Sequence, residues 1–153
     1  MVMAPVVALL MGSKSDLKKV TAAEETLAEM GVRVKTAVLS AHRQPEKLRE
    51  FVRSASSEGV EVFIAAAGKA AHLPGVVASL TTLPVIGLPI SSADLGGLDA
   101  LLSMVQMPRG VPVATVAIDG AVNAALLACS ILALKHEGVA AALTAYRERM
   151  AEG

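Results

Sequence analysis

Apolar residues fall along the chain in two alternating rhythms. Val6–Met11 (VVALLM) is apolar without a break, as a strand covered on both faces requires. From Leu17 the rhythm changes: Leu17, Val20, Ala23, Leu27 and Met30 recur every three or four residues, which predicts an amphipathic helix with Gly31 just past its last turn. Residues 32–39 (VRVKTAVL) return to strand. Pro45 suits the first position of a second helix, Glu46 favours its positive start, and Leu48, Phe51, Val52 and Ala55 form its buried face until Gly59 ends it. Residues 60–67 (VEVFIAAA) predict a third strand, followed by a turn at Gly68 and a helix from His72 or Leu73. VIGL predicts the fourth strand, PISSADLGG a loop, residues 99–105 a short helix and VPVATVAI the fifth strand. A long Ala/Leu helix over 121–134 and a more polar helix over 139–150 complete the chain.

Apolar strands alternating with helices imply a parallel sheet joined by right-handed crossovers. The predicted architecture is α/β, a three-layer αβα sandwich with a parallel sheet plus a C-terminal helix, as one domain over residues 1–153. In such folds ligands bind beyond the carboxyl ends of the strands. GSKSD, SAHR and AGKAAH each follow a predicted strand, so all three are expected on one edge.

The chemistry of these segments follows from their residue types. MGSKSD places Gly12, Ser13, Ser15 and Asp16 at a helix start, where exposed N–H groups and hydroxyls can cradle an anion and a carboxylate can accept from sugar hydroxyls. Ordinary helix capping by Ser15 or Asp16 explains the same residues. The motif is neither a Walker A loop nor GxGxxG, which argues against an ordinary dinucleotide site. In SAHR, Ser40 and Arg43 could hold a phosphate, leaving His42 beside the anion as a proton carrier, since imidazole is the side chain that ordinarily titrates near neutrality. In AGKAAHLPG, Gly68 and the alanines permit close approach to a planar ligand, and His72 taken alone is better explained by structure than by catalysis, because a helix N-terminus disfavours its cationic form. His136 reads as an exposed residue between helices. No cluster has metal-ligand spacing, and no Ser–His–Asp set can be argued from spacing.

Composition narrows the partners. Fourteen basic and 14 acidic residues cancel, which argues against nucleic acid or an anionic membrane held by bulk charge, though not against one small anion in a local pocket. The chain is 54% hydrophobic but only 18% charged, below the usual share, which points to burial of surface in a homo-oligomer. The single cysteine, Cys129, sits in a helical apolar run and suits a reducing, cytoplasmic setting as a small buried hydrophobe. The apolar N-terminus lacks the basic flank of a signal peptide, and the stretch over 111–134 is broken by Pro112, Asp119, Gly120 and Asn123.

MGSKSD, SAHRQPEKL, AAHLPG, LPVIGLPI, GLDALLSMVQMPRGVPVATVAI and NAALLA stand in the order and spacing of the PurE family of purine biosynthesis, which the chain resembles from Val6 to its end. The resemblance implies a flavodoxin-like subunit, a homo-octamer with sites at subunit contacts, a small-molecule ribonucleotide substrate, and no cofactor or metal. The typical bacterial member is N5-carboxyaminoimidazole ribonucleotide mutase; a second class carboxylates aminoimidazole ribonucleotide directly with CO2. Carried over by matching position, His42 is the catalytic acid/base; Ser13, Asp16 and Arg43 bind substrate; Ser15 and Ser40 meet the phosphate; Asp16 suits the ribose. Gly68, His72 and Leu73, in the loop over 68–73, wall the reaction space. His72 favours the mutase, because the carboxylase class generally lacks that histidine. Three positions depart from the family: Lys69 replaces a usual second glycine, Leu17 a frequent tryptophan and Gln44 a frequent threonine. Direct carboxylation and a non-catalytic nucleotide-binding module stay open as alternatives.

Overall fold

Alternate residues of the first strand feed two separate cores. In the computed structural model, which describes residues 2–153, β1 (Val6–Met11) is buried at every position. Met1, with which the expected domain begins, lies outside the described residues. Val7, Leu9 and Met11 pack with Val20, Ala23 and Leu27 of α1 (Leu17–Glu29) and with Ala124, Ala125 and Ala128 of α5 (Ala121–Leu132). Val6, Ala8 and Leu10 face the other way, toward Leu48 and Val52 of α2 (Pro45–Ala55), Val77 of α3 (Leu73–Leu80) and Met104 of α4 (Leu98–Val105). Each fully buried Val or Leu contributes roughly 1.5–3 kcal/mol, so a strand with no polar position is the firmest element available. α6 (Glu137–Ala151) adds Val139 to the first core.

β2 (Arg33–Val38), β3 (Val60–Gly68), β4 (Val85–Ile90) and β5 (Ala114–Thr115) complete a parallel sheet in the order β2-β1-β3-β4-β5. Helices cover both faces, which is the flavodoxin-like αβα arrangement expected. No helix among the described residues is long and apolar enough to cross a membrane. Cys129 is buried in α5, and burial pushes its thiol up to about 11, so it serves as the small hydrophobe the sequence suggested.

Four details differ from expectation. β2 forms a sheet edge and is half exposed, which is why Arg33 and Lys35 interrupt its apolar run. The fifth strand shrinks to Ala114–Thr115: Pro112 has no N–H for the ladder, and beyond Thr115 the chain bonds irregularly, Val116 N–H to the Gly87 carbonyl at 3.1 Å and Asp119 N–H to the Pro89 carbonyl at 2.8 Å. Leu17 is 49% exposed rather than part of the buried stripe, because it opens α1 before the helix settles on the sheet.

The fourth difference is His136, which is 13% exposed and places Nε2 2.8 Å from Glu61 Oε1, while Lys135 Nζ donates to Oε2 at 3.0 Å. These contacts pin the α5–α6 connection to the start of β3. Burial pushes the Glu61 carboxyl up, but the two hydrogen bonds and the adjacent positive charges outweigh it and hold the group below its ordinary range. A lowered carboxyl contributes stability above its unfolded value and loses it as pH falls through the folded value. Glu61→Gln is therefore expected to melt below wild type at pH 7, with the gap closing between about pH 5 and 3; thermal melts across that range check it, and a constant gap contradicts it.

Candidate active site

Four strands of the central sheet, β1 to β4, give way to small or polar residues within two positions of their ends, and these ends converge on one open cleft of about 440 Å3. After β1, the chain turns through Gly12, whose N–H donates to the Ala66 carbonyl at 3.2 Å, into a single 3-10 turn, Lys14–Asp16. Ser13 caps that turn, its hydroxyl accepting from the Ser15 N–H at 3.3 Å and from the Ser15 hydroxyl at 2.9 Å. Asp16 occupies the N-cap position of α1, yet its side chain makes no capping hydrogen bond. Capping therefore falls to Ser13, and Ser15 and Asp16 keep their polar groups at the cleft.

After β2, Ser40 organises the turn. Its hydroxyl accepts from the Arg43 N–H at 3.1 Å, and its own N–H donates to the side-chain oxygen of Gln44 at 3.3 Å. Gln44 precedes α2 without capping it, so its amide is used to fix Ser40. Arg43 reaches back to the Gly12 carbonyl through Nη2 at 3.5 Å, a long contact that brings the guanidinium beside the serine cradle. An anion there would meet hydroxyl, backbone and guanidinium donors together.

β3 delivers the other wall. Gly68 lies so close to β4 that a Cβ on it would stand 3.3 Å from the Ile90 carbonyl, so a side chain here would require β4 to give by a few tenths of an ångström. His72 precedes α3, and its Nδ1 lies 2.8 Å from Nε2 of His42, the rings meeting edge to face at 4.9 Å. One ring must donate and the other accept at this contact, so the pair cannot hold a proton on both facing nitrogens. His42 Nδ1 is then the nitrogen left to exchange a proton with a ligand. Leu73 also lines the cleft but is 2% exposed, an apolar wall anchored in the core.

The structure thus brings together Ser13, Ser15, Asp16, Ser40, His42, Arg43, Gly68, His72 and Leu73, from the three segments expected on one edge. Sequence reading passed over Ile90, Ser91 and Ser92, which also line the cleft; the signal was PISS, small hydroxyl residues directly after a buried strand. Lys69 lines it too, and its Nζ lies 2.9 Å from Asp94 Oδ2 in the loop after β4. Among the described residues no group of three His, Cys, Asp or Glu side chains stands close enough to hold a metal ion.

Comparison with known proteins bears on what this cleft handles. The AIR carboxylase family matches residues 6–153. N5-carboxyaminoimidazole ribonucleotide mutase of Pyrococcus abyssi is 56% identical over 146 residues, 95% of this chain and 84% of that protein. The mutase of Methanocaldococcus jannaschii is 57% identical over 144 residues, 94% of this chain and 89% of that protein. Phosphoribosylaminoimidazole carboxylase of Schizosaccharomyces pombe is 50% identical over 148 residues, which are 97% of this chain but 27% of that longer protein. Among solved structures, that of Treponema denticola PurE superimposes with a TM-score of 0.89 at 29% identity, covering 97% of this chain and 92% of that one.

The cleft carries one group whose placement opposes stability. Burial pushes the Asp16 carboxyl above its ordinary value, and the nearby Lys19 charge and the Ser13 backbone only partly offset this. A carboxyl raised by folding disfavours its own ionised form, so its penalty is full at neutral pH and disappears as the group protonates in acid. Asp16→Asn is expected to melt slightly above wild type at pH 7, the gain fading through the carboxylate range. A fall in Tm at pH 7 would contradict this origin of the shift.

Proposed function

The chain belongs to the AIR carboxylase family, and from that premise we propose that it is an N5-carboxyaminoimidazole ribonucleotide mutase, an isomerase that moves the substrate's carboxylate from the exocyclic nitrogen to ring carbon C4. The product is 4-carboxy-5-aminoimidazole ribonucleotide, on the route to IMP. The observation that carries this reading is His42, set between a serine-and-arginine anion cradle and a small-residue wall in one cleft.

Ser15, Ser40 and Arg43 hold the 5′-phosphate, Ser13 supports the cradle, and Asp16 accepts from the ribose hydroxyls. Gly68, His72 and Leu73 close the space around the ring. His42 protonates the exocyclic nitrogen as the N–CO2 bond breaks, releasing CO2 and aminoimidazole ribonucleotide within the cleft. The electron-rich C4 attacks the carbon of CO2, and His42, now neutral, takes the proton from C4, restoring the aromatic ring and its own charge. No proton is gained or lost overall. Holding CO2 beside C4 replaces a chance encounter with a positioned one, worth up to ~7–11 kcal/mol of the barrier. His72, 2.8 Å away, orients the His42 ring and accepts at the shared contact when His42 is charged.

Direct carboxylation drew its support from Lys69, and that cation is engaged by Asp94. Relatives at 52–57% identity bear the mutase name. The chain acts in a homo-octamer in the cytoplasm, one αβα domain per subunit, with no nucleic acid or membrane partner. Leu98, Leu102 and Val105 form an exposed apolar face on α4 suited to a second copy. Substrate carrying carbon-13 in its carboxyamino group, turned over without ATP in unlabelled bicarbonate, is expected to give product labelled at the new carboxylate. Washed-out label with good turnover of aminoimidazole ribonucleotide and bicarbonate means the carboxylase, and binding without product means a nucleotide-binding module. His42→Asn is expected to lower kcat by roughly 10²–10⁴-fold while aminoimidazole ribonucleotide still binds.

A further inference from the structure

The start of the loop after β4 is the one wall of the cleft to which neither the matched motifs nor the reaction above gives a part. Ser92 lines the cleft, and its hydroxyl oxygen is shielded from solvent without a hydrogen-bond partner, the one such buried side-chain atom among the described residues. A shielded hydroxyl left unmatched is unfavourable unless something else completes it.

Its neighbour Ser91 is, by contrast, held on every side. The Ser91 N–H donates to Asp119 Oδ1 at 2.9 Å and its hydroxyl donates to Asp119 Oδ2 at 2.5 Å. Lys19 Nζ donates to that hydroxyl at 2.7 Å and to the Ser91 carbonyl at 3.0 Å, and lies 3.7 Å from Asp119 Oδ1. α1, the end of β4 and the loop before α5 are thus locked at a single residue. On the other side, the Ser92 carbonyl accepts from the Gly96 N–H at 3.1 Å, closing the turn that carries Asp94. So elaborate a fixing of Ser91 has little purpose for an exposed loop, but it sets the position of the next hydroxyl.

We propose that Ser92 is a further substrate-binding residue and that Lys19, Ser91 and Asp119 form a clamp that positions it. This rests on the mutase reading above. β4 pairs with β3 through Gly68↔Ile90, on the side of β3 away from β1. Ser92 therefore stands at the ring end of the cleft, away from the phosphate cradle. A hydroxyl both donates and accepts, so once a rotation about χ1 turns it from its shielded position into the cleft it can meet the amino or the carboxylate substituent of the imidazole before and after transfer. Lys19 and Asp119 are positioning residues and touch no substrate.

The test measures mutase kinetics and calorimetric binding of aminoimidazole ribonucleotide for Ser92→Ala, Lys19→Met, Asp119→Asn, Lys19→Arg and the Lys19→Met/Ser92→Ala double variant. Ser92→Ala is expected to raise KM and the Kd by ~3–10-fold, with kcat changed less, as loss of one neutral hydrogen bond predicts. Lys19→Met and Asp119→Asn should each raise KM, Lys19→Arg should restore it, and the double variant should lose no more than Ser92→Ala alone. Unchanged KM and Kd in Ser92→Ala, additive losses in the double variant, or an altered oligomer in place of altered binding overturns the proposal. Wild type that neither binds aminoimidazole ribonucleotide nor forms product fails the mutase reading itself and this proposal with it; normal wild-type turnover beside an unaffected Ser92→Ala fails the proposal alone.

Discussion

A parallel sheet covered on both faces has no room for polar chemistry along its strands. β1 and β4 are buried at every position and β3 at nearly all, with their backbone groups bonded to one another across the sheet. A polar side chain set among them without a partner would cost about 1–3 kcal/mol. Chemistry is therefore displaced to where the strands stop, and the change of residue type is abrupt: Met11 gives way to Gly12 and Ser13, Gly68 to Lys69, Ile90 to Ser91. Because the strands run the same way, those changes fall on one edge, and a single cleft collects them. The core dictates the location of the site before any functional residue is chosen.

The same constraint explains which parts were readable from sequence. β1 and β3 were legible because burial on both faces demands unbroken apolar runs, and α2 because Pro45 marks its start and its apolar residues recur at helical spacing. The fifth strand was legible in place but not in extent, since VPVATVAI looks alike whether its apolar residues pair in a sheet or fill gaps elsewhere. Ile118, for example, packs against Gly97, where a Cβ would meet its Cγ2 at 2.7 Å. Within the site, the strand-end rule located the three segments and side-chain chemistry suggested an anion with a proton carrier. The contacts that organise them stayed hidden, because His42 meets His72 across 30 residues and Lys19 meets Ser91 across 72. Local pattern carries no record of such distances. His136 was misread for the same reason, its partner Glu61 lying 75 positions away.

Among the described residues two other than glycine adopt left-handed backbone conformations, Lys69 at φ 54° and Asp119 at φ 57°, and both belong to contacts that brace the loop after β4. That conformation costs a side-chain-bearing residue roughly 1–2 kcal/mol. For Asp119, hydrogen bonds from the Ser91 backbone and hydroxyl and the Lys19 charge offset the strain, and aspartate tolerates the conformation better than most residues. Lys69 has no such compensation. Its partner Asp94 is well exposed, and solvent screens a pair of that kind too strongly for it to offset the strain. Glycine, the usual residue at this position of the PurE pattern, would hold the same turn freely.

Stability therefore does not account for Lys69, whereas geometry does. Its ion pair ties the loop after β3 to the loop after β4 across the cleft, and the Lys19–Ser91–Asp119 contacts tie the same second loop to α1 and the start of α5. The two sides of the cleft consequently rest on different physics. The anion cradle is set by short-range bonds accepted by the Ser13 and Ser40 hydroxyls, within a few residues of the ends of β1 and β2. The opposite wall is set by charges reaching over long sequence separations, at positions where water and salt weaken them. On the proposed reading, the phosphate meets the side fixed by local capping bonds, and the ring with its migrating carboxylate meets the side fixed by long-range charged contacts.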